Sequence, residues 1–217
     1  MGGFIILKAF IFDLDGVLVF TDRFHYQAWK KMADRIGVYF DETINNRLRG
    51  VSRAESLEII LERWEGAPLS QEEKDALMTE KNDSYRELLK NMTPADVAED
   101  VRNTLDELKA RGHKLAIGSS SKNTKFILAQ VGLEGFFDAI SDGTNITRSK
   151  PDPEVFLKAA EFLGEKPENC IVVEDAFAGI DAAKAAGMTG VGIGDASGYE
   201  KADVRIQSFT QLLDVDA

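Results

Sequence analysis

The chain has 217 residues, enough for one large domain or two modest ones with a sizeable core. Its formal net charge of −11 leaves no basic face for nucleic acid, so a small-molecule protein is expected. The single cysteine, Cys170, excludes an intrachain disulfide and fits a reducing cytoplasm. No stretch reaches the roughly 18 to 20 apolar residues of a spanning helix, so no membrane partner is expected.

The apolar start, Met1 to Phe12, is broken by Lys8 and runs into an acidic pair instead of a cleavage site, so it reads as a first strand and not a signal. That strand, Lys8 to Phe12, ends in Asp13-Leu14-Asp15-Gly16. Both carboxylates then stand at the carboxyl end of a buried strand, where open α/β sheets collect ligands. Two neighbouring anions there call for a divalent metal with a phosphate. An ordinary Asp/Gly turn is the bland alternative.

From about Thr21 to Met92 no strand-like run occurs. Phe24, Ala28, Trp29 and Met32 share one helical face, Leu57, Ile60 and Leu61 another, and Leu77 to Leu89 forms a long charged amphipathic helix. Residues 21–92 therefore read as an inserted all-helical cap above the Asp pair, with hinges near Phe20-Thr21 and Asn91 to Pro94. Within it, Arg49-Gly50-Val51-Ser52-Arg53 is a Gly-centred loop with two guanidinium groups, suited to a phosphate, although two solvated arginines would look the same. His25 and Trp29, one turn apart, could face a cleft or merely pack. Lys81-Asn82-Asp83-Ser84-Tyr85 places a cation and an amide on the last cap helix, or only a charged solvent face.

Beyond Met92 the apolar runs Lys114 to Gly118, Cys170 to Val173, Thr189 to Ile193 and, more weakly, Asp203 to Ile206 alternate with amphipathic segments. Those segments are Val101 to Arg111, Thr124 to Val131, Pro153 to Leu163 and Ala176 to Ala186. The fold class is α/β: residues 1–20 and 93–217 form a doubly wound, Rossmann-like parallel-sheet core. Gly190 to Gly194 reads as a close-packed strand, and His113 as a cap on the turn into its strand.

Three more strand ends carry polar chemistry. Ser119-Ser120-Ser121-Lys122-Asn123 opens a helix with hydroxyls and free N–H groups, an anion cradle or simply an N-cap. Lys150-Pro151-Asp152-Pro153 sets a cation before a helix start, and Glu174-Asp175 ends the Cys170 to Val173 run as the first pair ends its own. Parallel strands gather these ends into what a Mg2+-dependent phosphoryl-transfer site requires.

In this order, Asp13-Leu14-Asp15-Gly16-Val17, Ser119, Lys150-Pro151-Asp152 and Glu174-Asp175 resemble the motifs of the haloacid dehalogenase superfamily. Further segments resemble its β-phosphoglucomutase subfamily: His25 to Trp29, Leu48 to Leu57, Lys81-Asn82-Asp83 and Thr93 to Val97. The similarity runs from Lys8 to about Phe209. The resemblance implies that Asp13 is a nucleophile forming an aspartyl phosphate and Asp15 the general acid and base. It implies Mg2+ on Asp13, the Asp15 carbonyl and Asp175, with Glu174 a ligand or an orienting neighbour. Ser119 and Lys150 would grip the reacting phosphate and Arg53 the other one. His25, Trp29, Arg49, Gly50, Ser52, Lys81, Ser121, Lys122 and Asn123 would line the substrate site.

The substrate so implied is a small phosphorylated sugar, β-glucose 1-phosphate, converted to glucose 6-phosphate through glucose 1,6-bisphosphate by a monomeric, cytoplasmic enzyme. A sugar-phosphate phosphatase is the first alternative and a non-catalytic sugar-phosphate sensor the second. Two departures concern cap movement: Phe20 stands where the family carries Asp, and Ala98-Glu99-Asp100 where it carries Pro-Gly.

Overall fold

The run Ala9-Phe10-Ile11-Phe12 is buried at every position, as a strand covered on both faces must be. In the computed structural model, which describes residues 8–48 and 51–215, it is β1 (Ala9–Phe12). Four helices follow: α1 (Asp22–Arg35), α2 (Glu42–Asn46), α3 (Arg53–Leu61) and α4 (Gln71–Leu89). The chain then alternates through α5 (Glu99–Ala110), β2 (Leu115–Gly118), α6 (Thr124–Gln130), β3 (Ala139–Ser141), α7 (Glu154–Leu163), β4 (Cys170–Glu174), α8 (Phe177–Ala185) and β5 (Thr189–Gly192). It ends in β6 (Val204–Arg205) and α9 (Leu212–Val215).

Two compact units result, one of Met1–Phe20 with Thr93–Ala217 and one of Thr21–Met92. The first holds a parallel sheet of order β3-β2-β1-β4-β5-β6. The order reverses between β1 and β4, the switch point outside whose carboxyl ends such sheets bind ligands. Phe12 pairs with Val173 there, and the ladder continues one step as Asp13 N donates to Val173 O at 3.0 Å. Beneath the sheet, Ile11, Ala116 and Val172 pack on Val155, Phe156 and Ala159 of α7 and on Ala182 and Ala183 of α8. His113 does more than cap a turn: it is buried edge-on to Phe10, and its Nδ1 hydrogen bonds the Lys8 carbonyl at 2.8 Å.

The second unit has its own core of Trp29, Met32, Val38, Phe40, Leu57, Ile60 and Leu77. Both α3 and α4 begin with a capping box, Ser52 with Glu55 and Ser70 with Glu73. In each, serine and glutamate satisfy one another's end of the helix. Three elements, β3, α2 and the four-residue α9, escaped the sequence pattern. β3 has three residues, too few for a period, and α2 relies on the Asp41 side chain, which accepts from Ile44 N at 2.9 Å.

Candidate active site

Asp13, the first residue past β1, is 8% exposed, and Glu174, the last of β4, 1%. Parallel pairing of β1 with β4 forces the two acids side by side. Lys150 lies between them, donating to Asp13 Oδ1 at 2.5 Å and to Glu174 Oε1, while its ammonium sits 4.8 Å from the centre of the Phe156 ring. Phe156 reaches this point because Gly118 on β2 is bare: a Cβ there would lie 2.6 Å from the ring. Burial alone would lower the Lys150 pKa, but the charges of Asp13 and Glu174 more than reverse this, so the lysine is held firmly protonated.

Asp13, Glu174 and Asp175 present carboxylate oxygens within 4.8 Å of one another. Burial first, and then the charges of Asp13, Glu174 and Asp15, push the Asp175 carboxyl up to about 8. Burial likewise raises that of Glu174, even against Lys150. One lysine does not balance three such acids, and a set of hard oxygen donors suits a divalent cation. The local backbone is shaped around them. Gly16 has φ 91°, and a Cβ on it would lie 2.1 Å from Asp175 Oδ2, while a Cβ on Gly179 would lie 1.9 Å from Glu174 Cδ. Glu174 Oε2 also accepts from Ala176 N at 3.0 Å, so this acid both pairs with lysine and orders the turn into α8. Gly16→Ala is expected to cost more than about 1 kcal/mol of stability, through the left-handed backbone and the displaced carboxylate, and to weaken binding of divalent cations. Thermal unfolding with and without a divalent cation checks this.

Asp15 is half-buried in the tight loop after β1, which Gly16 N closes by donating to Val19 O at 2.7 Å. Its carboxylate lies outside the three-acid group. Ser119, 3% exposed, has its N–H on Ser141 O and its Oγ accepting from Ser121 N at 3.2 Å. That leaves its hydroxyl proton to give. Ser121 Oγ in turn accepts from Asn123 N at 3.1 Å; Asn123 is buried and Lys122 exposed.

In the helical unit, Lys81 is 2% exposed, which rules out the solvent-face alternative. Its Nζ lies 2.8 Å from His25 Nδ1 and 4.8 and 4.6 Å from the ring centres of Trp29 and Tyr85. Burial, then the charges of Lys81 and Arg53, hold the His25 pKa well below its usual value, so the ring is neutral. A neutral ring accepting from Lys81 at Nδ1 carries its proton on Nε2, as a donor. Arg53 donates to Asn82 Oδ1 at 2.7 Å. The helices thus gather His25, Trp29, Arg53, Lys81 and Asn82 into a cationic, aromatic patch. Ser52 is committed to the α3 cap. Arg49 and Gly50 lie outside the described residues. Sequence reasoning gave Tyr85 no role of its own; its ring is tilted against His25 with centres 4.0 Å apart, and its hydroxyl donates to Thr21 Oγ1 at 2.9 Å. Its place one turn after Lys81 on α4 was the available signal.

Acids, lysine and serine gathered at the switch point of a parallel sheet, with a helical insertion after the first strand, define a known class. The family model of the haloacid dehalogenase-like hydrolases matches residues 7–187, and the chain belongs to that family. It is an enzyme of the phosphomutase or phosphatase kind. The chain is 41% identical to the β-phosphoglucomutase of Bacillus subtilis strain 168, covering 95% of this chain and 92% of that one. It is 34% identical to a phosphorylated carbohydrates phosphatase of Thermotoga maritima, over 84% and 82% of the two chains. The crystal structure of a β-phosphoglucomutase from Clostridium difficile superposes with a TM-score of 0.88 at 38% identity, covering 97% of this chain and 96% of that one.

Proposed function

We propose that the protein is a phosphomutase that converts β-glucose 1-phosphate into glucose 6-phosphate through an aspartyl-phosphate enzyme and a glucose 1,6-bisphosphate intermediate. The observation that carries this reading is Asp13 beside Lys150 and the acidic cluster, with a second cationic patch on another part of the chain. A phosphatase needs one phosphate grip; a mutase that turns a bisphosphate end for end needs two. Ser119 and Lys150 supply the grip at Asp13, and Arg53, supported by Asn82, the other.

In the forward half-reaction, the phosphoryl group on Asp13 passes to the 6-hydroxyl of the sugar, with Asp15 taking the hydroxyl proton as the Asp13–phosphorus bond breaks. The bisphosphate reorients. An Asp13 oxygen then attacks the phosphorus at the 1-position, and Asp15 returns the proton to the departing O1. Lys150 and the Ser119 hydroxyl neutralise the oxygens of the group in flight. His25, donating from Nε2, and Trp29 orient the sugar. Asp13, Glu174, Asp175 and the Asp15 carbonyl would hold Mg2+, which when bound offsets the repulsion between the Asp13 carboxylate and the phosphate. Water competes with the sugar hydroxyl for the aspartyl phosphate, and a site that admits it acts as a phosphatase, the second reading, which the Thermotoga maritima relative favours.

The test feeds β-glucose 1-phosphate with a trace of the bisphosphate and Mg2+. Glucose 6-phosphate formation far above phosphate release supports the mutase; the reverse establishes the phosphatase; neither with any sugar phosphate favours the sensor. A metal prediction follows from Asp175. Its carboxyl binds a proton more tightly folded than unfolded, so its contribution is complete below about pH 4 and is lost as pH rises through about 8. Metal-free protein should therefore lose melting temperature across that window, Mg2+ should restore most at the upper end, and Asp175→Asn should flatten the slope.

A further inference from the structure

Two buried polar atoms have no hydrogen-bond partner among the described residues: Asp142 Oδ2 and Ser120 Oγ. They belong to neighbouring segments. The β2–β3 ladder runs on past both strands, with Ser119 N donating to Ser141 O at 3.0 Å and Gly143 N to Ser121 O at 3.1 Å. Ser120 and Asp142 lie between these rungs. Gly143 has no room for a side chain, since a Cβ would lie 2.4 Å from the Ser120 carbonyl oxygen and 2.9 Å from Lys122 N. The glycine lets the carbonyl of Ser120 press against the Asp142 segment.

Asp142 is 1% exposed. Its Oδ1 accepts from Thr144 N at 2.9 Å and Thr144 Oγ1 at 2.5 Å, closing a turn, while no ion pair among the described residues offsets its charge. Lys122 runs its stem along Gly143 but is exposed and makes no such pair. A buried carboxylate is ordinarily matched by a cation, and an orphaned buried oxygen marks a missing partner. Its place is also awkward for an anion-binding loop, because a negative charge behind Ser119–Asn123 repels the dianion this loop would hold.

We propose that Asp142 Oδ2, Ser120 Oγ and the Ser120 carbonyl form a site for a monovalent cation, K+ or Na+, which cancels the Asp142 charge behind the cradle. The oxygen set is the kind hard cations take, and one carboxylate matches a single positive charge. The site is distinct from the Asp13, Glu174 and Asp175 cluster. Its expected effect on substrate rests on the phosphomutase reading; its occupancy does not.

The experiment melts full-length protein, with Mg2+ present, in KCl, NaCl and tetramethylammonium chloride at equal ionic strength. Either small cation should raise the wild-type melting temperature by at least about 2 °C over tetramethylammonium. Asp142→Asn should abolish the response and Ser120→Ala, which keeps the charge, should weaken it. In turnover assays the cation should lower the wild-type KM for sugar phosphate roughly threefold or more and leave Asp142→Asn unchanged. Equal melting of wild type in all three salts, or an equal response in both variants, overturns the proposal. If no sugar phosphate is turned over, the phosphomutase reading fails while the melting series still decides the cation site.

Discussion

Asp13→Asn protein is expected to lose at least about 10^4-fold of kcat for glucose 6-phosphate formation, because no other group at the site replaces the attacking oxygen. The substitution preserves shape and keeps one oxygen that can accept from Lys150, so the fold should survive. Steady-state kinetics with saturating bisphosphate, alongside circular dichroism, separate lost chemistry from lost structure. Asp15→Asn should cost less, about 10^2- to 10^4-fold, as proton transfer is assisted and not replaced. Equal residual activity in wild type and Asp13→Asn protein would instead support the sensor.

Lys150→Met is expected to damage both stability and activity. In the folded protein this ammonium is the shared partner of Asp13 and Glu174, both almost wholly buried. Removing one member of such a group leaves uncompensated charge, at a cost of about 3–5 kcal/mol. Chemical denaturation in chelator should show that loss, and Mg2+ should recover part of it by meeting the same carboxylates. Activity should fall even where the fold is restored, because the transferring phosphate loses its cation. A variant that melts like wild type in chelator would mean that the two acids do not depend on this lysine.

The core was legible because its signals are local. β1, β2 and β4 are short apolar runs that stop at Asp, Ser and Glu, and parallel pairing brings those stops side by side without further information. The ordered motifs supplied the family, and the absence of strand-like runs marked the helical insertion. The environment of each residue was not legible. Lys81 has the neighbours of a solvent-facing lysine, and only the packing of α4 on α1 shows it buried against His25, Trp29 and Tyr85. The same holds for Asp142, an unremarkable acid in a loop by sequence, which the fold leaves only 1% exposed. β3 was missed because three residues carry no period.

The central claim is that the side chain of Asp13 carries the phosphoryl group between the two halves of the reaction. Mass spectrometry of protein quenched in acid, milliseconds after mixing with glucose 1,6-bisphosphate and Mg2+, tests it directly. The account predicts one added phosphoryl group, mapped to the peptide containing Asp13 and removed when β-glucose 1-phosphate is supplied. A phosphoryl group on another residue, Ser119 included, or turnover with no phosphorylated protein at any time point, would contradict it.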